Sequence, residues 1–304
     1  MKLRLAGGAV GWLAVVVADV AGLVRLSLID EVVLFGLAVV LPLALGGPVW
    51  WWQAAALAAW VSFPLPEGWA ALLAAPALAA AGATLAGRVR EARPWTWRRP
   101  GDAGGSEDLA GLVVAIYAVV ATGFLVQSRA GVEAFNVYEP IVELTAVHYT
   151  FAGVAASVLA LAAWRDAGRR WRAVGLAAVV LTAVAPPLVA AGFVSGRAFP
   201  QVGGAVLMTL GVWTTATLQL GTAIRNGSRP PAQRALLAVS GLAIWVPMVL
   251  AVAWAAGQHW DVPALSIPDM ARTHGVANAF AFVTCGLLAR QFPGLPEERT
   301  GRAP

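Results

Sequence analysis

The feature that most constrains this chain is a succession of apolar blocks, each about 15 to 24 residues long, separated by short polar breaks. An α-helix rises 1.5 Å per residue, so a block of this length covers the roughly 30 Å of bilayer hydrocarbon. Membrane-spanning strands would instead be about 10 residues long and alternate apolar with polar. That alternation is missing. Composition agrees: 59% of the residues are hydrophobic and 12% charged, whereas soluble domains carry about 25% charge. The fold class that follows is all-α, a polytopic transmembrane helical bundle forming one integral membrane domain over residues 1–304.

Ten spans are expected, at 6–24, 31–47, 50–63, 69–87, 109–127, 141–164, 171–194, 202–222, 234–257 and 268–290. The second and third are divided only by Gly46, Gly47 and Pro48, so they form a tight helical hairpin or a re-entrant pair. Trp50, Trp51 and Trp52 then fall at a membrane–water boundary, where amphipathic rings prefer to lie. With both termini on the cytoplasmic side, 17 of the 21 basic residues lie inside and only Arg25, Arg129, Arg197 and Arg272 outside. Cytoplasmic loops carry such an excess, which makes this a multi-pass protein of the cell membrane. Lys2 and Arg4 before the first block also fit a secretory signal cut near Ala18 to Ala21, although Asp19 interrupts that reading.

The net charge of +5 does not mark a nucleic-acid binder. The clusters Arg88, Arg90, Arg93, Arg98, Arg99 and Arg165, Arg169, Arg170, Arg172 sit directly beside apolar spans, where they set topology and meet anionic lipid heads. In the loop 88–108, Arg93-Pro94-Trp95-Thr96-Trp97 reads as an interfacial anchor and Gly101 to Ser106 as a flexible turn. The Asn226-Gly227-Ser228 sequon falls on the inner side and is expected to stay unmodified. The lone Cys285 lies within an apolar block and provides no disulfide framework.

Ionisable residues within spans are costly and therefore candidates for function. Pro140 suits the first position of the sixth span, with Glu139 at its cap, Glu143 one turn in, then Thr145 and His148. His148 is then roughly 12 Å into the helix. The tenth span opens at Pro268 and carries His274 roughly 9 Å down, with Asn278 one turn deeper on the same face. Both helices enter from the same side, so the two histidines share a level. Asp19, Arg25, Asp30, Glu31, Asn136 and Tyr138 gather toward that side, while Gln53 and Gln219 are the main polar residues of the inner halves.

The run Ile141-Val142-Glu143-Leu144-Thr145-Ala146-Val147-His148-Tyr149-Thr150-Phe151-Ala152-Gly153 resembles the LTAVHFHYAGF segment of the YndJ-like family of bacterial membrane proteins. Arg272-Thr273-His274-Gly275-Val276-Ala277-Asn278-Ala279-Phe280-Ala281-Phe282 is similar to that family's THGxxNAxGF motif, and the apolar run from Leu34 to Leu45 with Pro42 is similar to its early segment. The resemblance extends from about residue 30 onward and implies a shared fold and polar core. Two departures stand out. Thr150 occupies a position where the family often has a second histidine, and Phe280-Ala281 replaces a glycine-containing pair.

Three functional classes compete with a purely structural role, in which buried imidazoles pin helices together. The first is acid–base catalysis on a lipophilic, isoprenoid- or polyketide-like substrate. Isomerisation or cyclisation needs a proton donor, a base and a shaped apolar cavity, and no soluble cofactor. Glu143 would donate, His148 and His274 would act as bases or orienting groups, and Asn278 and Thr145 would position the substrate. Tyr138 and Asn136 would contact the substrate, and Arg272, Asp30 and Glu31 would line or gate the outer mouth. Glu143 and His148 stand about 140° apart around one helix, so they cannot both address one atom. The second class is a His₂Glu zinc set or a bis-histidine haem site, which that separation disfavours. The third is transport, suggested by Pro186-Pro187 and Pro247 as helix interruptions. Phosphate-cradling loops, a GxSxG elbow and paired aspartate-rich motifs are missing.

The topology is testable with single cysteines in a Cys285→Ala background. A membrane-impermeant maleimide added to intact cells should label Gln258→Cys and spare Arg169→Cys until the membrane is opened. The reverse pattern contradicts the orientation.

Overall fold

The computed structural model describes residues 2–46, 49–91, 103–134, 137–225 and 227–292. Asn136, the sequon's Asn226 and the Arg93-to-Trp97 anchor lie outside the described residues. Ten helical rods follow one another: α1 (Lys2–Val20), α2 (Leu28–Leu45), α3 (Val49–Ser62), α4 (Ala71–Glu91), α5 (Ala103–Arg129), α6 (Ile141–Asp166), α7 (Arg172–Ser195), α8 (Ala198–Arg225), α9 (Pro231–Gly257) and α10 (267–289). No strand occurs among the described residues. Six of these rods (α2, α4, α5, α6, α7 and α9) are long and apolar enough to cross a membrane.

Four local expectations are corrected. Ala103 to Ser106, read as part of a flexible turn, form the first helical turn of α5. Once a helix exists, each added residue gains a hydrogen bond for one residue fixed, so helices extend past their apolar core. Pro186-Pro187 does not interrupt α7, which runs unbroken from Arg172 to Ser195. Pro140 occupies the cap position rather than the first helical one. The three consecutive tryptophans divide: Trp50 and Trp51 face outward, whereas Trp52 is buried in the core. Successive helical residues point about 100° apart, so three neighbours cannot share a surface.

The outer face is strongly apolar, with Val246, Leu242, Ile224, Trp69 and Phe199 all largely exposed. Such a surface is a liability in water and the expected face toward lipid. Inside, one hydrophobic cluster runs through α1 to α6 and on to α7, α8, α9 and α10. Trp12, Phe35 and Phe280 stack at 4.7 to 5.5 Å between centroids and tie α1, α2 and α10 together. Phe280 is the residue that departs from the glycine-containing family pair, and here it fills that contact.

The two ends of the bundle differ in chemistry. At one end lie the starts of α2, α6, α8 and α10, where Asp30 of α2 approaches Glu143 of α6. Arg129 at the end of α5 donates there to the carbonyls of Ser62 and Leu65. The opposite end is knitted by arginines: Arg165 pairs with Glu107 at 2.8 Å, Arg229 with Asp166 at 3.1 Å, and Arg290 donates to the Val158 carbonyl at 2.7 Å.

Three helices depart from α geometry on their inward faces. Wider π-type turns occupy Gly36–Val40 in α2, Tyr149–Ala155 in α6, and Ala271–Gly275 and Ala277–Thr284 in α10. Such stretches re-aim side chains and occur often at functional sites. The π turns of α2 and α6 cross where Gly36 meets Thr150: a Cβ on Gly36 would lie 2.9 Å from the Thr150 methyl. Position 150 therefore faces α2.

α7 and α8 form a tight antiparallel pair joined at Gly196, whose φ of +65° suits glycine. A Cβ on Gly192 would stand 2.4 Å from the Gln201 backbone nitrogen, so only glycine admits this approach, as in many membrane helix pairs. Gly192→Val should cost about 1–3 kcal/mol by overpacking. Thermal unfolding in detergent reads this, with Gly203→Val as the control, because nothing lies within 4 Å of a Cβ there. Equal melting of the two variants contradicts the packing argument.

Candidate functional site

A cavity of about 260 Å³ lies between α2, α6, α7, α8, α9 and α10. Its wall is mostly aliphatic and aromatic, with His148, His274, Asn278, Thr145, Tyr149 and Gln201 carrying polar groups. The histidines expected at matched depth on two helices do share one chamber. Their rings lie within electrostatic reach of each other. His148 is deep in the bundle, yet its ring is accessible because the cavity lies against it.

The hydrogen bonds define what these rings present. His148 Nδ1 lies 2.6 Å from the carbonyl of Leu144 on its own helix. His274 Nδ1 lies 2.8 Å from the carbonyl of Pro247 on α9. A carbonyl only accepts, so each Nδ1 carries the proton and each Nε2 keeps a lone pair. The Asn278 amide nitrogen is 3.1 Å from Nε2 and 3.3 Å from Nδ1 of His274. A donor aligned on the Nε2 lone pair would be far from Nδ1, so this amide sits across the ring and leaves the lone pair open. Asn278 Oδ1 is buried without a partner among the described residues. Thr145 is satisfied by the Ile141 carbonyl at 2.7 Å and contributes chiefly shape.

Local sequence explains the placement. α9 breaks its regular hydrogen bonding at Ile244, three residues before Pro247, as expected where a proline lacks its N–H and crowds the preceding turn. The π turns of α10 contain both His274 and Asn278, and the π turn of α6 begins directly after His148.

Glu143 does not line the cavity. The helix is regular from Ile141 to His148, so the 140° separation expected from the sequence holds and turns Glu143 away. Its carboxyl lies instead near Asp30, Glu139 and Arg129, and one of its oxygens is buried without a hydrogen-bond partner. The mouth residues and Tyr138 also fall elsewhere. Asp30 closes a capping box with Ser27, the Glu31 carbonyl accepts from Trp12, Tyr138 is exposed, and Arg272 pairs with Asp269 at 3.5 Å on its own helix. None of the four lines the cavity, whose rim is formed by apolar residues such as Leu28, Ile29, Ile267 and Met270. An apolar rim suits a ligand arriving from lipid better than one arriving from water.

Two residues escaped the sequence reading. Gln201 is 3% exposed, lines the cavity, and accepts at Oε1 from Nε2 of His259 at 2.8 Å. His259 stands in the turn that ends α9. The sequence signal for it is a glutamine directly after Pro200 at the start of an apolar helix. Among the described residues, no three His, Cys, Asp or Glu side chains come together to hold a metal. The His₂Glu alternative is not assembled among the described residues.

The fold is thus an apolar helical bundle, with six helices long and apolar enough to cross a membrane, around a cavity lined by two histidines. The model of the family described as YndJ-like protein matches residues 31–282, and the chain belongs to that family. No curated protein and no solved structure matches it.

Proposed function

We propose that this chain is a membrane-embedded acid–base enzyme that isomerises or cyclises a lipophilic, isoprenoid- or polyketide-like substrate. The observation that carries the reading is the shared cavity, a largely apolar space lined by two imidazoles that are each held through Nδ1 to a backbone carbonyl. In an isomerisation, one Nε2 takes a proton from a substrate carbon, breaking that C–H bond while its electron pair shifts into the adjacent π system. The imidazolium, still held through Nδ1–H to its backbone carbonyl, returns the same proton to a carbon further along. The proton count is conserved and no soluble cofactor is required. Asn278 positions the substrate and holds the His274 ring. Glu143 acts only at a distance, through the charge around the starts of α2 and α6.

The cavity-bearing end is assigned to the non-cytoplasmic side of the cell membrane. The concentration of Arg165, Arg229 and Arg290 at the opposite end supports that orientation.

Comparative extraction of lipophilic metabolites tests the reading in cells with and without the protein. A product that appears with the wild type should fall roughly 10²–10⁴-fold in His148→Ala or His274→Ala. It should persist in Glu143→Gln. Product unchanged in both histidine variants would sink the proposal.

A further inference from the structure

The polar and apolar parts of the cavity are ordered along its depth. Gln201 and Trp254 lie three residues from the helix ends at Ala198 and Gly257, about 5 Å down. His148 and His274 are each seven residues from their helix starts, about 11 Å down. Below Asn278, the wall at Ala156, Val212, Ile244 and Phe282 lies about 20 Å down and bears no polar side chain. At about 30 Å³ for a water-sized group, 260 Å³ holds about nine non-hydrogen atoms, and the open mouth leaves room for a few more. Drawn out over that depth, the space suits one extended chain rather than a fused-ring skeleton.

Gln201 decides which end of such a chain lies outward. Its Oε1 is already taken by the His259 N–H, so the group it offers the cavity is its amide N–H. That donor recognises an oxygen acceptor. His148 and His274 offer lone pairs, Asn278 has its amide N–H engaged against the His274 ring and Met248 Sδ and so offers an acceptor oxygen, and the wall below it offers nothing polar.

We infer that the substrate is a linear ketone or aldehyde bound carbonyl-outward, its oxygen on the Gln201 amide and its chain running past the two histidines to the apolar floor. This rests on the reading of the cavity as the substrate site. His259 is a positioning residue: it holds the Gln201 carboxamide so that its N–H faces inward. Double bonds conjugated with that carbonyl carry its electron withdrawal down the chain to the C–H bonds at the histidine level, which is what an imidazole base there requires.

Photo-cross-linking of the purified full chain tests this with two isomeric undecan-2-ones, one carrying a diazirine at C4 and the other at C10. The C4 probe should label peptides around Gln201 and Trp254, and the C10 probe those around Val212 and Phe282. Gln201→Leu should reduce the end-to-end selectivity by about two- to ten-fold, the worth of one net hydrogen bond. His259→Phe, which leaves the glutamine in place, should reduce it in the same direction. A reversed or unselective map in the wild type overturns the orientation and leaves the catalytic proposal standing. An unchanged map in Gln201→Leu overturns the role of that amide. Labelling confined to the outer surface overturns both this inference and the cavity reading beneath it.

Discussion

Inside an apolar bundle, a buried N–H without an acceptor costs on the order of 1–3 kcal/mol, so a deep ring N–H is strongly stabilised by a partner. For the two deep histidines the partners are backbone carbonyls, that of Leu144 within α6 and that of Pro247 across on α9. Those bonds fix which nitrogen bears hydrogen and leave the other as an acceptor. The irregularities of the surrounding helices, three residues before Pro247 and in the π turns of α6 and α10, lie directly beside these rings. Helix distortion and ring placement are therefore two sides of one arrangement.

The architecture was legible because its determinants are local. Block length alone marks the helices, and the basic clusters coincide with the arginine-knitted end of the bundle. The level shared by His148 and His274 followed from counting residues along two helices that start at the same end. The 140° between Glu143 and His148 also followed from helical periodicity, and it turned out to decide between them.

What escaped the sequence depends on rotation and on long-range pairing. Asp30, Glu31 and Arg272 were assigned to the mouth by depth, but depth does not say which way a side chain turns. Asp30 is engaged locally by a cap and Arg272 by an i,i+3 ion pair, none of the three lines the cavity, and its lining at that end is apolar. Gln201 acquires meaning only through His259, 58 positions away. The π turns have no simple residue signature. Thr150, where the family often carries a histidine, turns out to be a packing position against Gly36.

The central claim is that the space beside His148 and His274 holds a lipophilic molecule. An experimental map of the protein purified from its native membrane addresses this most directly. The account predicts elongated non-protein density running from Gln201 past both imidazoles toward Val212 and Phe282. A collapsed cavity, with the two rings packed dry against neighbouring side chains, would contradict it.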